Sequence, residues 1–349
     1  MLCIQNLGVD MAAKDFQVCF MAKSQDGSSK VKGTRKFANT ATGFKDLQKW
    51  IVKKADGDGK VLVTMEATGV YYERLAYYLH ELGHQVHVLL PNRIKGYMKF
   101  LNLKSKTDKL EAKALARLGL DQKLPSWKPA SEQMYALKRL SRERTMLLEE
   151  KTAVSNRLHA EKACYRPDKS IQKRHKQRIT LINKQLKQVE KQMEQLAQKD
   201  EQLQQHLEHI CKIKGVGVIT VLAIIAETNG FELVDHKSQL VSYAGYDVVQ
   251  RESGSSVRGK TRISKKGNSH IRRALHFPAI SVVKYQDEFK ALYERVFDRT
   301  KIKMKGYVAV QRKLLVLIYT LYKNNIPYEA NYQQQLEKSR QDTEPAYTG

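Results

Sequence analysis

Acidic side chains end two apolar, strand-like segments near the start of the chain. Asp10 ends the segment LGVD, and Glu66 ends VLVTME. A carboxylate at the end of a buried strand loses solvation and needs compensation, which a divalent cation can supply. Two such ions about 3.5–4 Å apart would stabilise the attacking and leaving oxygens of a phosphoryl displacement. The pair predicts metal-assisted phosphoryl transfer, although each residue could also be an ordinary strand-end acid.

Two further acids lie in the helical segment KTDKLEAKALARL. Asp108 and Glu111 are three residues apart and therefore share one helix face. They could complete a site for Mg²⁺ or Mn²⁺ with the two strand-end acids. The same spacing also fits an N-cap with its capping box, and this interpretation explains the segment equally well by itself.

The second chemical feature is the segment RESGSSVRGKTRISKKGNSHIRR, residues 251–273. It places Ser253, Ser255 and Ser256 among cations that would hold a phosphodiester and stabilise its transition state. These cations are Arg251, Arg258, Lys260, Arg262, Lys265, Lys266, Arg272 and Arg273. A hydroxyl here could attack phosphorus and leave a protein–DNA phosphoester. Because such hydroxyls contact phosphates more often than they attack them, the residues alone do not choose between binding and catalysis.

The elements around the first acids predict an α/β domain over residues 1–128. LCIQNLGVDM, DFQVCFMA and VKGTRKFAN are typical of strands, and KVLVTMEA and QVHVLLP of two more, with helical patterns between and after them. The resulting order β-β-β-α-β-α-β-α is that of a ribonuclease-H-like fold, although other α/β folds share such alternation.

Residues 129–210 predict an antiparallel coiled-coil hairpin. One apolar stripe runs from Leu137 to Leu158, and the chain then breaks at Cys164–Pro167. A second stripe with alternating steps of three and four runs from Ile179 to Ile210 and is interrupted only at Asp200. A coiled coil of this length indicates association of at least two chains.

Residues 211–330 predict a mainly helical domain, followed by a polar tail over residues 331–349. IKGVGVITVLAIIAE is similar to a helix-hairpin-helix, in which Gly215 and Gly217 form a tight turn and present backbone N–H groups to a DNA phosphate. A simple connection between two helices explains these glycines equally well.

The composition favours a polyanionic partner. The 349 residues carry a formal charge of +26, and the pI is about 9.8, which is typical of nucleic-acid binding. Neither a run of about 18 apolar residues nor a signal-peptide pattern is present, so we expect a cytoplasmic, nucleoid-associated protein without a membrane partner. The four scattered cysteines disfavour zinc or a disulfide framework.

Four blocks together resemble the insertion sequence 110 family of transposases. They are GVDMAAKDF, MEATGVYYERLA, KTDKLEAKALA and SYAGYDVVQRESGSSVRGKTRISKKGNSHIRRAL, and the resemblance extends from about Gly8 to about Tyr328. It implies a RuvC-like DEDD recombinase that acts on donor and target DNA, is guided by a structured bridge RNA and forms a dimer or tetramer. The implied acids are Asp10, Glu66, Asp108 and Glu111, the last being a departure because the family has Asp there.

The resemblance also selects Ser253 as the nucleophile and implies that serine and acids from different subunits form one site. Two other functions remain open from the sequence. A hydrolytic RuvC-type endonuclease, similar to a junction resolvase, would use the serine segment only to bind DNA. A non-enzymatic nucleic-acid-binding scaffold would need neither the serine nor the acids.

Overall fold

The computed structural model of this chain describes residues 4–57, 59–102, 105, 107–249, 252–253, 257–259 and 262–330. The chain divides into two compact units, Met1–Pro129 and Ala130–Gly349. Of the residues predicted above to act, Arg251 and Lys260 lie outside the described residues, as do Ser255, Ser256 and the tail over 331–349.

The first unit has the predicted order of strands and helices. Its elements are β1 (Ile4–Met11), β2 (Asp15–Lys23), β3 (Ser29–Ala38), α1 (Ala41–Lys54), β4 (Leu62–Glu66), α2 (Glu73–Glu81), β5 (Gln85–Leu89), α3 (Pro91–Phe100) and α4 (Asp108–Asp121). The sheet order is β3-β2-β1-β4-β5. β1 is antiparallel to β2 and parallel to β4, and β4 is parallel to β5. This is the ribonuclease-H-like arrangement, and the fold expected for this unit is confirmed.

The two faces of β1 pack against different helices. Leu7, Val9 and Met11 belong to the apolar cluster that includes Leu47 and Ile51 of α1. Since side chains alternate along a strand, Asn6, Gly8 and Asp10 lie on the opposite face. That face carries α4, because Asn6 Nδ2 donates to the carbonyl oxygen of Ala116 at 2.7 Å.

Glycines bring α4 into backbone contact with the sheet. A Cβ atom on Gly8 would lie 2.1 Å from the carbonyl oxygen of Ala112, and one on Gly119 would lie 2.3 Å from Thr64 Oγ1. Real Cβ atoms do not approach other atoms this closely, so any larger residue at either position would displace the helix. The distance between α4 and the sheet is therefore set by these two glycines.

The structure contains a helix, α3, that the sequence pattern did not predict. Pro91 stands at its first turn, where a missing N–H costs nothing and the fixed φ favours a helix. The sequence indicated that Pro91 ended a strand, but β5 already ends at Leu89. Ile94 and Tyr97 pack against Leu115 and Leu118 of α4, which explains why this short helix forms.

Within its described residues, the second unit is mainly helical and carries four short strands. Its elements are α5 (Glu132–Ala163), α6 (Lys169–Ala197), α7 (Glu201–Cys211), α8 (Val218–Glu227), α9 (Lys237–Tyr243), β6 (Val248–Val249), β7 (Glu252–Ser253), β8 (Val257–Arg258), β9 (Arg262–Ile263), α10 (Ser269–Ala274), α11 (His276–Tyr285), α12 (Asp287–Thr300) and α13 (Lys303–Asn324). β6 pairs with β9 and β7 with β8, both antiparallel.

The helices α5 and α6 lie antiparallel. Gln133 near the start of α5 donates to the carbonyl oxygen of Leu196 near the end of α6 at 2.9 Å. Further along, Arg144 and Glu190 form an ion pair at 2.7 Å. This packing within one chain does not test the predicted coiled coil or the association of chains, and both stay predictions.

The apolar stripe from Ile179 to Ile210 does not belong to one unbroken helix. α6 ends at Ala197, and Asp200 is the N-cap of α7, where its carboxylate accepts from the Leu203 N–H at 3.0 Å. Aspartate competes well for such caps because it satisfies backbone donors that have no partner in the first turn. Asp200 is therefore a boundary between two helices rather than a defect in one heptad pattern.

Apolar residues of the α5–α6 hairpin and of the C-terminal helices share one core. The buried cluster extends from Leu137 on α5 through α8 to Leu321 on α13. The predicted boundary between residues 210 and 211 falls inside this cluster. Among the helices that the structure describes, none is long and apolar enough to cross a membrane.

Candidate active site

Asp10 and Glu66 occupy matching positions on neighbouring parallel strands. Val9 of β1 is in register with Met65 of β4, so each acid comes one residue after a registered pair. Thr64 Oγ1 donates to Asn6 Oδ1 at 3.1 Å, so these two side chains share the sheet face that α4 covers. Asp10 and Glu66 follow the same alternation and lie half-buried on that face.

The helix α4 begins at the same edge of the sheet. Its later residues Ala116 and Gly119 lie over Asn6 and Thr64, whereas Ala112 lies over Gly8, closer to the carboxyl ends of the strands. Because Asp108 is one turn before Ala112, it lies at the edge of the sheet where β1 and β4 end, close to the positions of Asp10 and Glu66. The fold therefore brings the first three predicted acids to one edge and one face.

The capping interpretation of Asp108 is wrong. Thr107 is the N-cap of α4, and its hydroxyl accepts from the Leu110 N–H at 3.3 Å. Asp108 is the first helical residue, and its side chain is exposed. Glu111 lies one turn further and is half-buried, and neither acid is the N-cap of α4.

Lys36 on β3 also lies near this edge, and no pattern in the sequence selects it. The registered pairs Asp10–Gln17 and Gln17–Lys36 place it in one row across the sheet with Asp10. Its ammonium pairs with Asp15 at 2.9 Å. The hydrogen bond that Lys36 donates to Asp15 is the main cause of its raised pKa, and the negative charge of Asp108 raises that pKa further. Only the strand register could have identified this cation.

The donor set suits a hard divalent cation. Carboxylate oxygens are the ligands that Mg²⁺ and Mn²⁺ prefer, and no thiol or imidazole is among the four acids. Within the described ranges, no three His, Cys, Asp or Glu side chains are close enough together to hold a metal ion. The residues therefore fit the chemistry of the metal and share an edge, but they do not form a closed cage.

Ser253 lies on a short hairpin of the second unit. It is in register with Val257, and Glu252 is in register with Arg258. In the chain, β7 and β8 lie between β6 and β9, which pair with each other with Val248 in register with Ile263. The side chains of Ser253 and Arg258 lie outside what the structure describes. We refer to residues 248–263 as the serine hairpin.

Arg272 holds the base of the serine hairpin. Its Nη1 donates to the carbonyl oxygens of Ala244 at 2.7 Å and Asn268 at 3.3 Å, and its Nη2 donates to that of Lys265 at 3.4 Å. These bonds join the segment before the hairpin, which contains Gly245 at φ +75°, to the segment after it. They favour a structural role for Arg272, in contrast to the phosphate contact expected from the sequence.

The other predicted cations near the hairpin differ in their surroundings. Arg273 pairs with Glu149 at 2.5 Å, and both side chains are more than half exposed. Arg262, Lys265 and Lys266 are exposed. Their exposure is compatible with phosphate contacts, which stay predictions.

An ion pair between a buried carboxylate and a partly exposed arginine supports the same region. Arg142 of α5 donates to both oxygens of Glu227 at 2.8 and 3.0 Å. Burial alone raises the pKa of Glu227, but the hydrogen bonds and charge of Arg142 outweigh it and hold that pKa below its usual value. Asn268 also donates to Glu227, at 2.7 Å. Because Asn268 is the N-cap of α10, the ion pair fixes the chain directly after the hairpin.

The two glycines between α7 and α8 have different surroundings. Gly215 has φ +102, and a Cβ there would lie 2.9 Å from Ser281 Oγ and 3.0 Å from Val282 N. Gly217 is the N-cap of α8, and nothing lies within 4 Å of its Cβ position. Gly215 is therefore required by close packing against α11, whereas the space beside Gly217 is open.

Comparison with protein families gives two matches in chain order. Residues 7–161 match the IS110-type DEDD family described as "Transposase", and residues 207–294 match "Transposase IS116/IS110/IS902 family". The first match includes all four predicted acids, and the second includes Ser253. Together they cover more than half of the chain.

Several known proteins are similar to this chain. The "Pilin gene-inverting protein" of Moraxella bovis is 29% identical over 93% of this chain and 97% of its own length. The protein of the same description from Moraxella lacunata is 28% identical over the same shares. The "Insertion element IS110 uncharacterized 43.6 kDa protein" of Streptomyces coelicolor is 22% identical over 35% of this chain and 30% of its own length.

A solved structure of RuvC from Thermus thermophilus covers 36% of this chain and all of its own, with 11% identity and a TM-score of 0.28. A TM-score this low carries no structural argument. The fold of the first unit is therefore assigned from its sheet order alone.

Proposed function

Because this chain belongs to the IS110 family of transposases and is a DNA-recombining enzyme, we propose that it excises and inserts its own DNA element through a covalent serine–DNA intermediate. Ser253 is the proposed nucleophile. Asp10, Glu66 and Asp108, with Glu111 beside them, are the proposed metal-binding carboxylates. One observation carries the proposal: Asp10 is the next-to-last residue of β1 and Glu66 is the last residue of the adjacent parallel strand β4, on the face where α4 begins with Asp108.

The proposed reaction is a transesterification. The Ser253 oxygen attacks phosphorus as its proton passes to a base, and a new phosphoserine bond forms. The bond from phosphorus to one deoxyribose oxygen breaks, and that oxygen leaves as a hydroxyl after taking a proton. Since one phosphoester replaces another, the reverse attack by a hydroxyl of a different strand rejoins DNA without a nucleotide cofactor.

The residues of this chain have separate proposed tasks. When bound, a divalent cation would neutralise charge on the phosphate and lower the pKa of an attacking oxygen. Asp10 and Glu66 hold their positions through the sheet, and Asp108 through the close packing of α4. The exposed cations Arg262, Lys265 and Lys266 would bind the DNA backbone beside the hairpin.

We also propose that the acids and the serine act together across subunits, with a structured bridge RNA selecting donor and target DNA. The two chemical groups belong to separate compact units of one chain, and a formal charge of +26 suits simultaneous binding of DNA and RNA.

The nucleophile can be tested with the full-length protein, Mg²⁺ and labelled DNA containing an end of the element. Wild type should give a covalent adduct on a denaturing gel, mapped to Ser253 by mass spectrometry. Ser253→Ala should abolish both adduct and strand exchange, whereas Ser255→Ala and Ser256→Ala should retain them. If Ser253→Ala still cuts DNA at the wild-type rate, the enzyme is hydrolytic and the proposal is wrong.

The RNA can be tested by purifying the protein from cells that carry its gene with the flanking DNA. A flanking transcript should copurify, and its removal by ribonuclease should abolish selective strand exchange. Full, sequence-selective exchange by RNA-free protein would contradict the guided mechanism.

A further inference from the structure

A basic cleft lies between the base of the serine hairpin and the last two helices. It has a volume of about 760 Å³ and is lined by β6, β9, α12 and α13. We call it the α12/α13 cleft. Its cations are Arg262, Lys265, Arg299, Lys305 and Arg312. No acidic residue lines it among the residues that the structure describes, so its charge is strongly positive.

The cations of the α12/α13 cleft differ from their neighbours on the same helices. Lys301 pairs with Asp298, and Lys313 pairs with Glu288. By contrast, Arg299, Lys305 and Arg312 are exposed and make no ion pair within the described part of the chain. Two acids of α12 thus pair with cations outside the cleft, and the charge inside the cleft is available to an anionic ligand.

The floor of the cleft is apolar. Val248 and Met304 line it, and their side chains are 55% and 51% exposed. Exposed apolar surface surrounded by cations fits an unstacked nucleobase whose phosphates lie at the rim. A volume of this size accommodates a small-molecule-sized ligand such as one or two nucleotides, but not a duplex.

The cleft has a fixed position relative to the serine hairpin. Tyr246, two residues before β6 begins, is fully buried and donates through its hydroxyl to Gln311 Oε1 of α13 at 2.9 Å. Val249 precedes Ser253 by only four residues, a reach of about 13 Å for extended chain. This distance corresponds to a few nucleotides along a DNA strand.

From these observations we propose that the α12/α13 cleft binds unpaired DNA nucleotides next to the phosphate that Ser253 attacks. Phosphates contact the cations of α12, α13 and β9, and one base packs on Val248 and Met304. The placement beside the attacked phosphate rests on the proposed function, whereas single-strand binding by the cleft can be measured independently of it.

The test compares two double variants of the full-length protein, each lacking two cations. Lys305→Gln/Arg312→Gln removes charge inside the cleft. Lys290→Gln/Lys323→Gln removes it from exposed positions on the same two helices, outside the cleft. All four positions are exposed, so folding should be unaffected, and a thermal melt checks this.

The probe is a labelled single-stranded DNA of about 20 nucleotides, measured by fluorescence anisotropy at several salt concentrations. The cleft variant should bind roughly tenfold more weakly, and its salt slope should fall by about 1.4, as expected for two lost contacts to a single strand. The control should bind within about twofold of wild type. Equal affinity of the two variants would overturn the proposal.

Two further probes make the assignment specific. The cleft substitutions should weaken binding of RNA of the same sequence less than binding of DNA. A loss of affinity confined to RNA would overturn the assignment of DNA as the ligand. Met304→Ser should weaken binding of normal single strands by roughly fivefold through lost apolar contact. It should not weaken binding of an abasic strand, and an equal loss for both strands would overturn the proposed base contact.

The outcomes separate this proposal from the proposed function. Ser253→Ala should retain wild-type affinity for single-stranded DNA. If wild type forms no adduct but the cleft variant still loses affinity, the cleft binds DNA and the serine mechanism is wrong. If adducts form and the cleft variant binds normally, the serine mechanism stands and the cleft proposal is wrong.

Discussion

The Glu227 carboxylate accepts a 2.7 Å hydrogen bond from the side-chain amide of Asn268. Glu227 ends α8, and Asn268 caps the helix that follows the serine hairpin. The same carboxylate binds Arg142 of α5 through both oxygens. One buried acid therefore joins α5, α8 and the chain that carries the proposed nucleophile.

Loss of this acid should destabilise the second unit. Glu227→Gln removes the charge that compensates Arg142, and we expect the free energy of unfolding to fall by about 2 kcal/mol. Glu149→Gln is the control, because its ion pair with Arg273 is more than half exposed and should be worth less than about 1 kcal/mol. Urea unfolding of the full chain measures both. Equal losses of unfolding free energy in the two variants would show that the buried carboxylate contributes no more than the exposed one.

The stability that Glu227 contributes should depend on pH in a defined direction. Burial alone raises its pKa, but the hydrogen bonds and charges of Arg142, Asn268 and Lys138 together outweigh burial, so the pKa in the folded chain lies below the usual value. The folded state then binds fewer protons than the unfolded state, and the contribution is complete above the unfolded pKa of about 4.3. It is lost as the pH falls through the folded pKa.

The difference in unfolding free energy between wild type and Glu227→Gln should accordingly be constant near neutral pH and shrink below about pH 4.3. Urea titrations at a series of pH values measure it. A difference that grows on acidification would contradict the ion-pair explanation.

Substitution of the strand-end acids should abolish chemistry without abolishing DNA binding. Asp10→Asn, Glu66→Gln and Asp108→Asn each remove one proposed metal ligand, and we expect adduct formation to slow by about 100-fold or more. The rate is measured over a range of Mg²⁺ and Mn²⁺ concentrations. Asp46→Asn, an exposed acid on α1, is the control. Wild-type rates for Asp10→Asn would favour a non-enzymatic scaffold.

Glu111 allows a test of side-chain length. If Glu111 acts where the family has Asp, its longer side chain reaches the metal from a half-buried position on α4. Glu111→Asp should then retain activity within about tenfold but require more Mg²⁺, whereas Glu111→Ala should lose more. The Mg²⁺ concentration at half-maximal adduct formation measures this. An unchanged requirement in Glu111→Ala would remove Glu111 from the metal site.

The two glycines of the α7–α8 turn should respond differently. Gly215→Ala adds a Cβ within 3.0 Å of α11 at φ +102, and we expect a loss of about 2 kcal/mol in stability. Gly217→Ser places a favourable N-cap in open space and should leave stability unchanged. If backbone N–H groups of α8 bind DNA, Gly217→Ser should weaken duplex binding. Thermal melts and anisotropy separate the two effects.

Periodicity was sufficient to predict much of the fold. Alternating or continuous apolar residues identified the strands of the first unit, because a strand buried on one face alternates and a strand buried on both faces is apolar throughout. The same reasoning failed at α3, where a proline that starts a helix was interpreted as the end of a strand. It also failed at Asp200, since apolar spacing continues across a helix boundary that only a cap creates.

The candidate site was predictable to a smaller extent. Asp10 and Glu66 could be found because they end apolar segments, and Thr107 could have been recognised as the cap that leaves Asp108 available. Lys36, Glu227 and the cations of the α12/α13 cleft depend on strand register or on contacts between distant segments. No local pattern distinguishes Arg272, which holds backbone carbonyls, from an exposed arginine one residue later.

Gly8 and Gly119 carry no functional group, yet they fix how closely α4 approaches the sheet. A methyl group at either position would push the helix outward and carry Asp108 away from Asp10 and Glu66. A random-mutagenesis screen for variants that bind DNA but cannot cut it should therefore recover these two glycines as well as the acids. We therefore expect activity to require two residues that contribute only by lacking a side chain, because this lets α4 lie close to the sheet.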